Sequence, residues 1–286
     1  MSQDNGERRN LSVFTYSFIF ICVVLVTILF VKEINVSSDF EDILYQKSLQ
    51  DTVEQENKYY INKIKDEYGI NIIYGNDEKN FINSINAQPQ YDINIANNNI
   101  KIIYESLKKY PYNIFKMYKD KKYSLYIILV DRFNDNNIAL ASKNTLNQYR
   151  IYLSNNEDFE RSFHHEFFHV LEYYMADQTD YLYYSWNSYN PYGFNYEPNI
   201  NKLTDEFVYD KHLSDSENSN SYFLSKYSKV SDKEDRAEIF AELMTLDKKE
   251  SYLENGSRIK EKIKYLMSEI YENITVYDFY FSPYLE

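Results

Sequence analysis

Leu11 to Val31 reads LSVFTYSFIFICVVLVTILFV, about 21 residues without a charged side chain, which matches the ~20 helical residues needed to cross ~30 Å of hydrocarbon. This run divides the chain into a short N-terminus (1–10), a transmembrane signal anchor (11–31) and everything after it. Arg8 and Arg9 precede it, and Lys32 and Glu33 follow it, so the positive-inside rule puts residues 1–10 in the cytoplasm and the bulk outside. The run ends Ile-Leu-Phe-Val-Lys-Glu with no small-residue cleavage site, and Ile19-Phe20-Ile21-Cys22 is not a lipoprotein box. An uncleaved single-pass anchor in the cell membrane, with an extracellular domain, is therefore expected.

Charged residues make up 26% of the 286 residues and the net charge is -13. No long basic stripe interrupts that balance, so a nucleic-acid partner has no electrostatic footprint. The one cysteine, Cys22, lies inside the apolar run, which excludes disulfides, thiolate metal ligands and cysteine nucleophiles from the rest of the chain. Abundant Asn, Ile, Lys and Tyr beside five Gly and five Pro fit an AT-rich bacterial genome, and a cysteine-poor exported domain suits a Gram-positive surface.

Residues 32–69 read as a helical stalk: Phe40, Ile43, Leu44, Tyr60, Ile61 and Ile64 keep helical spacing, and Gly69 is placed to end it. One domain, 70–286, follows. Strands are expected at Ile70–Tyr74, Tyr123–Val130, Ile138–Ala141 and Tyr149–Leu153, and helices at Asn98–Tyr110, 157–176, 232–247 and 257–272. Strands before helices point to the α+β class. Tyr149–Leu153 could serve as a sheet edge onto which an extended peptide adds.

His165 and His169 are four apart, so on a helix their imidazoles stand on one face and can converge on one ion. Glu166 sits beside the first, where a carboxylate can act as general base without ligating. Phe163, Phe167, Val170, Leu171 and Tyr174 form the apolar face such a helix needs. Glu157, Asp158, Glu160, Arg161 and Glu172 flank the motif, so it does not lie in a membrane span. A catalytic zinc takes a third protein ligand. Glu172 and Met175 occupy the places where a metzincin carries glycine and histidine, which excludes that subclass. His164 points about 100° away from His165, and His212, in Asp-Lys-His-Leu-Ser, reads as solvated. A second helix opens with a capping box, Ser231 and Glu234, and carries Glu234, Glu238 and Glu242 on one stripe beside Ala237 and Ala241, small enough for close packing on the motif helix. The spacing does not choose between Glu234 and Glu238.

The pair His165-Glu-Phe-Phe-His169 and Tyr227-Ser-Lys-Val-Ser-Asp-Lys-Glu234-Asp-Arg-Ala-Glu238 resembles the lethal-factor-like zincins, including the clostridial Pro-Pro endopeptidases, in which a tyrosine stands seven residues before the glutamate of E-x-x-A-E. The resemblance covers roughly residues 123–247. It implies a zincin-like catalytic domain with a small mixed sheet and active-site helices, one Zn2+ per chain held by His165, His169 and Glu234, Glu238 as a carboxylate behind the ligands, and Tyr227 as a phenol supporting the transition state. Phe168 departs from the family, which often has glycine there, and is expected to alter the cleft. The expected activity is metal-assisted hydrolysis of a peptide or protein substrate, with Glu166 as general base. Gln178 to Val230, holding Trp186 and Phe194, is expected to wall the cleft. The other reading is an inactive surface binding protein on the same fold.

Overall fold

The structure, a computed structural model, describes residues 44–286 apart from 83, 84, 121, 136, 145, 146, 181, 215, 216, 248–250, 254–256, 276, 277 and 286. The anchor at 11–31 and the first part of the stalk lie outside the described residues, among which no helix is long and apolar enough to cross a membrane. Residues 1–55 and 56–286 separate as two compact units. Residues 44–68 are helical (α1). In the second unit, Ile64 and Tyr68 of α1 are buried in the core. Gly69 closes the helix: its N–H donates to the Lys65 carbonyl at 2.9 Å, and its φ of +73° lies in the left-handed region that glycine tolerates. A Cβ there would meet the Lys119 backbone nitrogen at 2.8 Å.

Among the described residues five strands form one mixed sheet: β1 (Ile70–Ile73), β2 (Ala87–Pro89), β3 (Ser124–Phe133), β4 (Ala139–Lys143) and β5 (Gln148–Ser154). The order is β1-β3-β5-β4, with β2 pairing the far end of β3. β1, β3 and β5 run parallel, Ile70 opposite Leu125 and Leu125 opposite Tyr149, while β4 runs antiparallel to β5, Ala141 opposite Ile151. Strand alternation separates two cores. Leu125, Ile127, Leu129, Tyr149, Ile151 and Leu153 join the main core, whereas Ile128, Val130 and Tyr152 face a smaller cluster with Ile82 and Phe133.

Tyr149–Leu153 is not an edge. β5 lies between β3 and β4, and Ile151, Tyr152 and Leu153 are all buried, as an interior strand covered on both faces requires. The edge is β4.

The helices are α2 (Lys79–Ile82), α3 (Ile93–Leu107), α4 (Lys116–Lys119), α5 (Phe159–Ala176), α6 (Asp232–Met244), α7 (Arg258–Ile274) and α8 (Ser282–Leu285). α3 begins five residues ahead of the expected Asn98 because the Asp92 carboxylate accepts the Asn94 and Ile95 N–H groups, a cap that starts the helix there. α5 lies against β4, β5 and α3 and packs most extensively on α6, with Phe168 stacked on Phe240 at 4.9 Å and Ala237 and Ala241 fully buried. Among its described residues, segment 178–230 carries short 3-10 turns rather than regular elements. Its anchor is Asp235 of α6, whose Oδ2 accepts from Trp186 Nε1 at 3.1 Å, Tyr196 OH at 2.9 Å and Lys262 Nζ of α7 at 2.7 Å. Burial pushes the Asp235 carboxyl up and the Lys262 amine down; the charge pair and the two further donors offset that desolvation.

Candidate metal centre

α5 presents His165 and His169 on the face turned toward α6, and their Nε2 atoms stand 3.2 Å apart. From α6, Glu234 Oε2 reaches to 2.9 Å of His165 Nε2 and 3.4 Å of His169 Nε2. One ligand atom from each of the three residues lies within 4.8 Å of the others. The local sequence produces this directly. Ser231 caps α6 by accepting the Glu234 N–H at 3.2 Å, and the Glu234 side chain, instead of closing a reciprocal capping box, turns to the histidines.

Glu238 sits one turn along α6 at the other side of the first ring, its Oε1 3.0 Å from His165 Nδ1. Arg161 holds the same carboxylate with two parallel hydrogen bonds of 3.0 and 2.9 Å, and Ser225 Oγ donates to it at 2.6 Å. Arg236 does not pair with Glu238; its Nε donates to Glu172 at 2.5 Å and its Nη1 to Asp232 at 2.9 Å. Glu172 in turn lies 3.6 Å from His169 Nδ1. Each imidazole thus has its Nε2 in the cluster and its Nδ1 toward a carboxylate.

The donor set fits zinc, which takes two imidazole nitrogens and a carboxylate oxygen readily, and the Nδ1 partners are those a ligating histidine requires to fix its tautomer. In the chain by itself, burial works against charge on both imidazoles, but Glu234 with Glu238 holds His165 up at about 9, and Glu172 with Glu234 holds His169 up at about 10. Burial raises Glu234, yet the two imidazoles outweigh it and bring that carboxyl down to about 2.

Glu166 is buried beside the cluster and takes a hydrogen bond from the backbone of Ala141 on the edge strand. Burial raises its carboxyl, the two imidazoles oppose the shift and Glu234 adds to it. A cavity of about 390 Å³ opens there, lined by Asn137, Ile138 and Ala139 leading into β4, by His165 and Glu166, and by Ile200, Ser225 and Tyr227 of the long segment. Tyr227 is 42% exposed, so its ring can meet an incoming ligand; its centroid is 6.0 Å from that of His165. Burial and the surrounding carboxylates, Glu234 first, push its phenol up, so it keeps its proton.

His164 and His212 stand apart from the cluster. His164 is buried with Nδ1 2.7 Å from Tyr110 OH, and His212 is exposed on its loop. Phe168 is fully buried against Phe240 and does not line the cavity, so its effect is on helix packing rather than on cleft shape. Arg161, Ser225, Glu172, Ile138 and Ile200 were not singled out for the site by sequence. Arg161 and Glu172 did carry a signal, being one turn before His165 and one turn after His169 on the same helix.

No protein-family model matches the chain, and no curated protein does. Among solved structures, a candidate zinc-binding metallo-peptidase from Bacteroides caccae matches with a TM-score of 0.49 and 15% identity, over 82% of this chain and 91% of that one.

Proposed function

We propose that this chain is a single-pass, membrane-anchored zinc endopeptidase of the lethal-factor-like zincin type, with its catalytic domain outside the cell. The observation that carries the reading is the convergence of His165, His169 and Glu234 ligand atoms within 4.8 Å, with Glu166 buried in the same cavity. The apolar run at 11–31 supports the anchor.

His165, His169 and Glu234 would hold the metal. Bound zinc would supply a Lewis acid for the scissile carbonyl and lower the pKa of water toward ~7. Glu166 accepts the proton of the attacking water and returns it to the departing amine. Its contact with the Ala141 backbone holds the carboxylate under β4, the edge strand along which an extended peptide would lie. Tyr227, protonated and lining the cavity, donates to the oxyanion that develops on the carbonyl. Glu238 accepts from His165 Nδ1 and keeps the Nε2 lone pair turned to the cluster.

The test is a Glu166→Gln chain assayed on a diverse peptide library beside wild type. Zinc content should stay unchanged while turnover falls by ~10²-fold or more. Wild-type turnover in the variant, or a zinc-loaded wild type that cleaves nothing, would contradict the reading and point to a surface binding protein.

A further inference from the structure

Two arginine–glutamate pairs cross between α5 and α6, and each stands behind one imidazole. In the first, Arg161 of α5 grips Glu238 of α6, whose Oε1 is 3.0 Å from His165 Nδ1. In the second the helices exchange roles: Arg236 of α6 holds Glu172 of α5, whose Oε2 is 3.6 Å from His169 Nδ1. The carboxylates of both pairs are buried, and so is Arg236; Arg161 is 29% exposed at the cavity wall. Such pairs are costly to desolvate and are not explained by stability alone.

The donor count shows what the first pair does. Both Glu238 oxygens are occupied by the planar guanidinium fork, and Ser225 adds a third donor. A carboxylate with its plane fixed in this way only accepts, so His165 must carry a hydrogen on Nδ1, and Nε2 is the nitrogen left to offer a lone pair to a metal. Lysine offers a point charge and no fork, so it would hold neither the plane nor the bond angle. The second pair acts on His169 through a longer contact, and Arg236 is also engaged by Asp232 and lies over the Tyr183 ring at 4.2 Å.

We propose that Arg161 and Arg236 are positioning residues of the metal centre, which set its affinity and ligand geometry through Glu238 and Glu172 without touching the metal, Arg161 being the stronger. The inference rests on the zinc reading above. Its test is a chelator-competition titration of the full-length chain with zinc, together with the electronic spectrum of the cobalt(II) form. Arg161→Met should weaken zinc binding ~10-fold or more and shift the cobalt bands, with Arg161→Lys recovering only part. Glu242→Gln, which removes the charge 3.6 Å from Arg161 Nε but leaves the fork, should change neither. Wild-type affinity and spectrum in a folded Arg161→Met chain would overturn the proposal. Should that variant fail to fold, Arg161→Gln, which keeps a single donor nitrogen and loses the fork, carries the same expectation and the same overturning result. A wild-type chain that binds no zinc in the same titration would overturn the zinc reading itself.

Discussion

Glu234 and Glu238, one turn apart on α6, address opposite nitrogens of a single imidazole: Glu234 Oε2 is 2.9 Å from His165 Nε2, and Glu238 Oε1 is 3.0 Å from Nδ1. On a helical stripe the two are equivalent; at the ring one is a ligand candidate and the other an orienting acceptor. Glu238→Ala should therefore keep a zinc site and weaken it ~10–100-fold, measured by chelator competition. Complete loss of zinc from a folded Glu238→Ala chain would reverse the two roles.

Tyr227→Phe removes one hydroxyl from the cavity and no metal ligand. Zinc content should be unchanged, and kcat should drop by ~10²–10³ with KM little altered, as for a contact made in the transition state. A raised KM at constant kcat would make Tyr227 a ground-state binding residue.

Metal loading should remove the loss of stability that the metal-free chain shows as pH rises. In the metal-free chain His165 and His169 are held up at about 9 and about 10, above the ordinary histidine value of ~6.5. The folded state then binds more protons than the unfolded one, so this stabilisation is present below ~6.5 and lost as pH rises to about 10. Below that range the slope turns over, because burial holds His164 down at about 4 and the unfolded chain takes up that proton first. Metal binding needs both nitrogens unprotonated, so the zinc-induced rise in Tm should grow over the same alkaline range. Thermal melts from pH 5 to 10 with and without zinc read this out, and parallel profiles would contradict it.

Phe168 shows where sequence reading met its limit. Four-residue spacing put the two histidines on one helix face, and the apolar positions Phe163, Phe167, Val170 and Leu171 marked the buried side, all four fully buried. What spacing does not carry is which neighbour each face meets. Phe168 turns to Phe240 because α6 packs there, and the same packing brings Arg161 to Glu238. β5 became interior because it pairs its sequence neighbour β4 on one side and, in parallel, the more distant β3 on the other, Leu125 opposite Tyr149, a long-range pairing that the strand's own residues do not disclose. The three-residue β2 is too short for any periodicity. Phe168→Ala should destabilise the fold by ~3–5 kcal/mol in denaturant titrations, and a change of cleavage specificity at unchanged stability would return it to the cleft.

The most direct measurement is the zinc content of the purified full-length chain beside Glu234→Ala, both shown to be folded. One zinc per wild-type chain and none retained by Glu234→Ala is the expected result. A folded wild type without zinc, or full loading in the absence of Glu234, would contradict the account of His165, His169 and Glu234 as one metal centre.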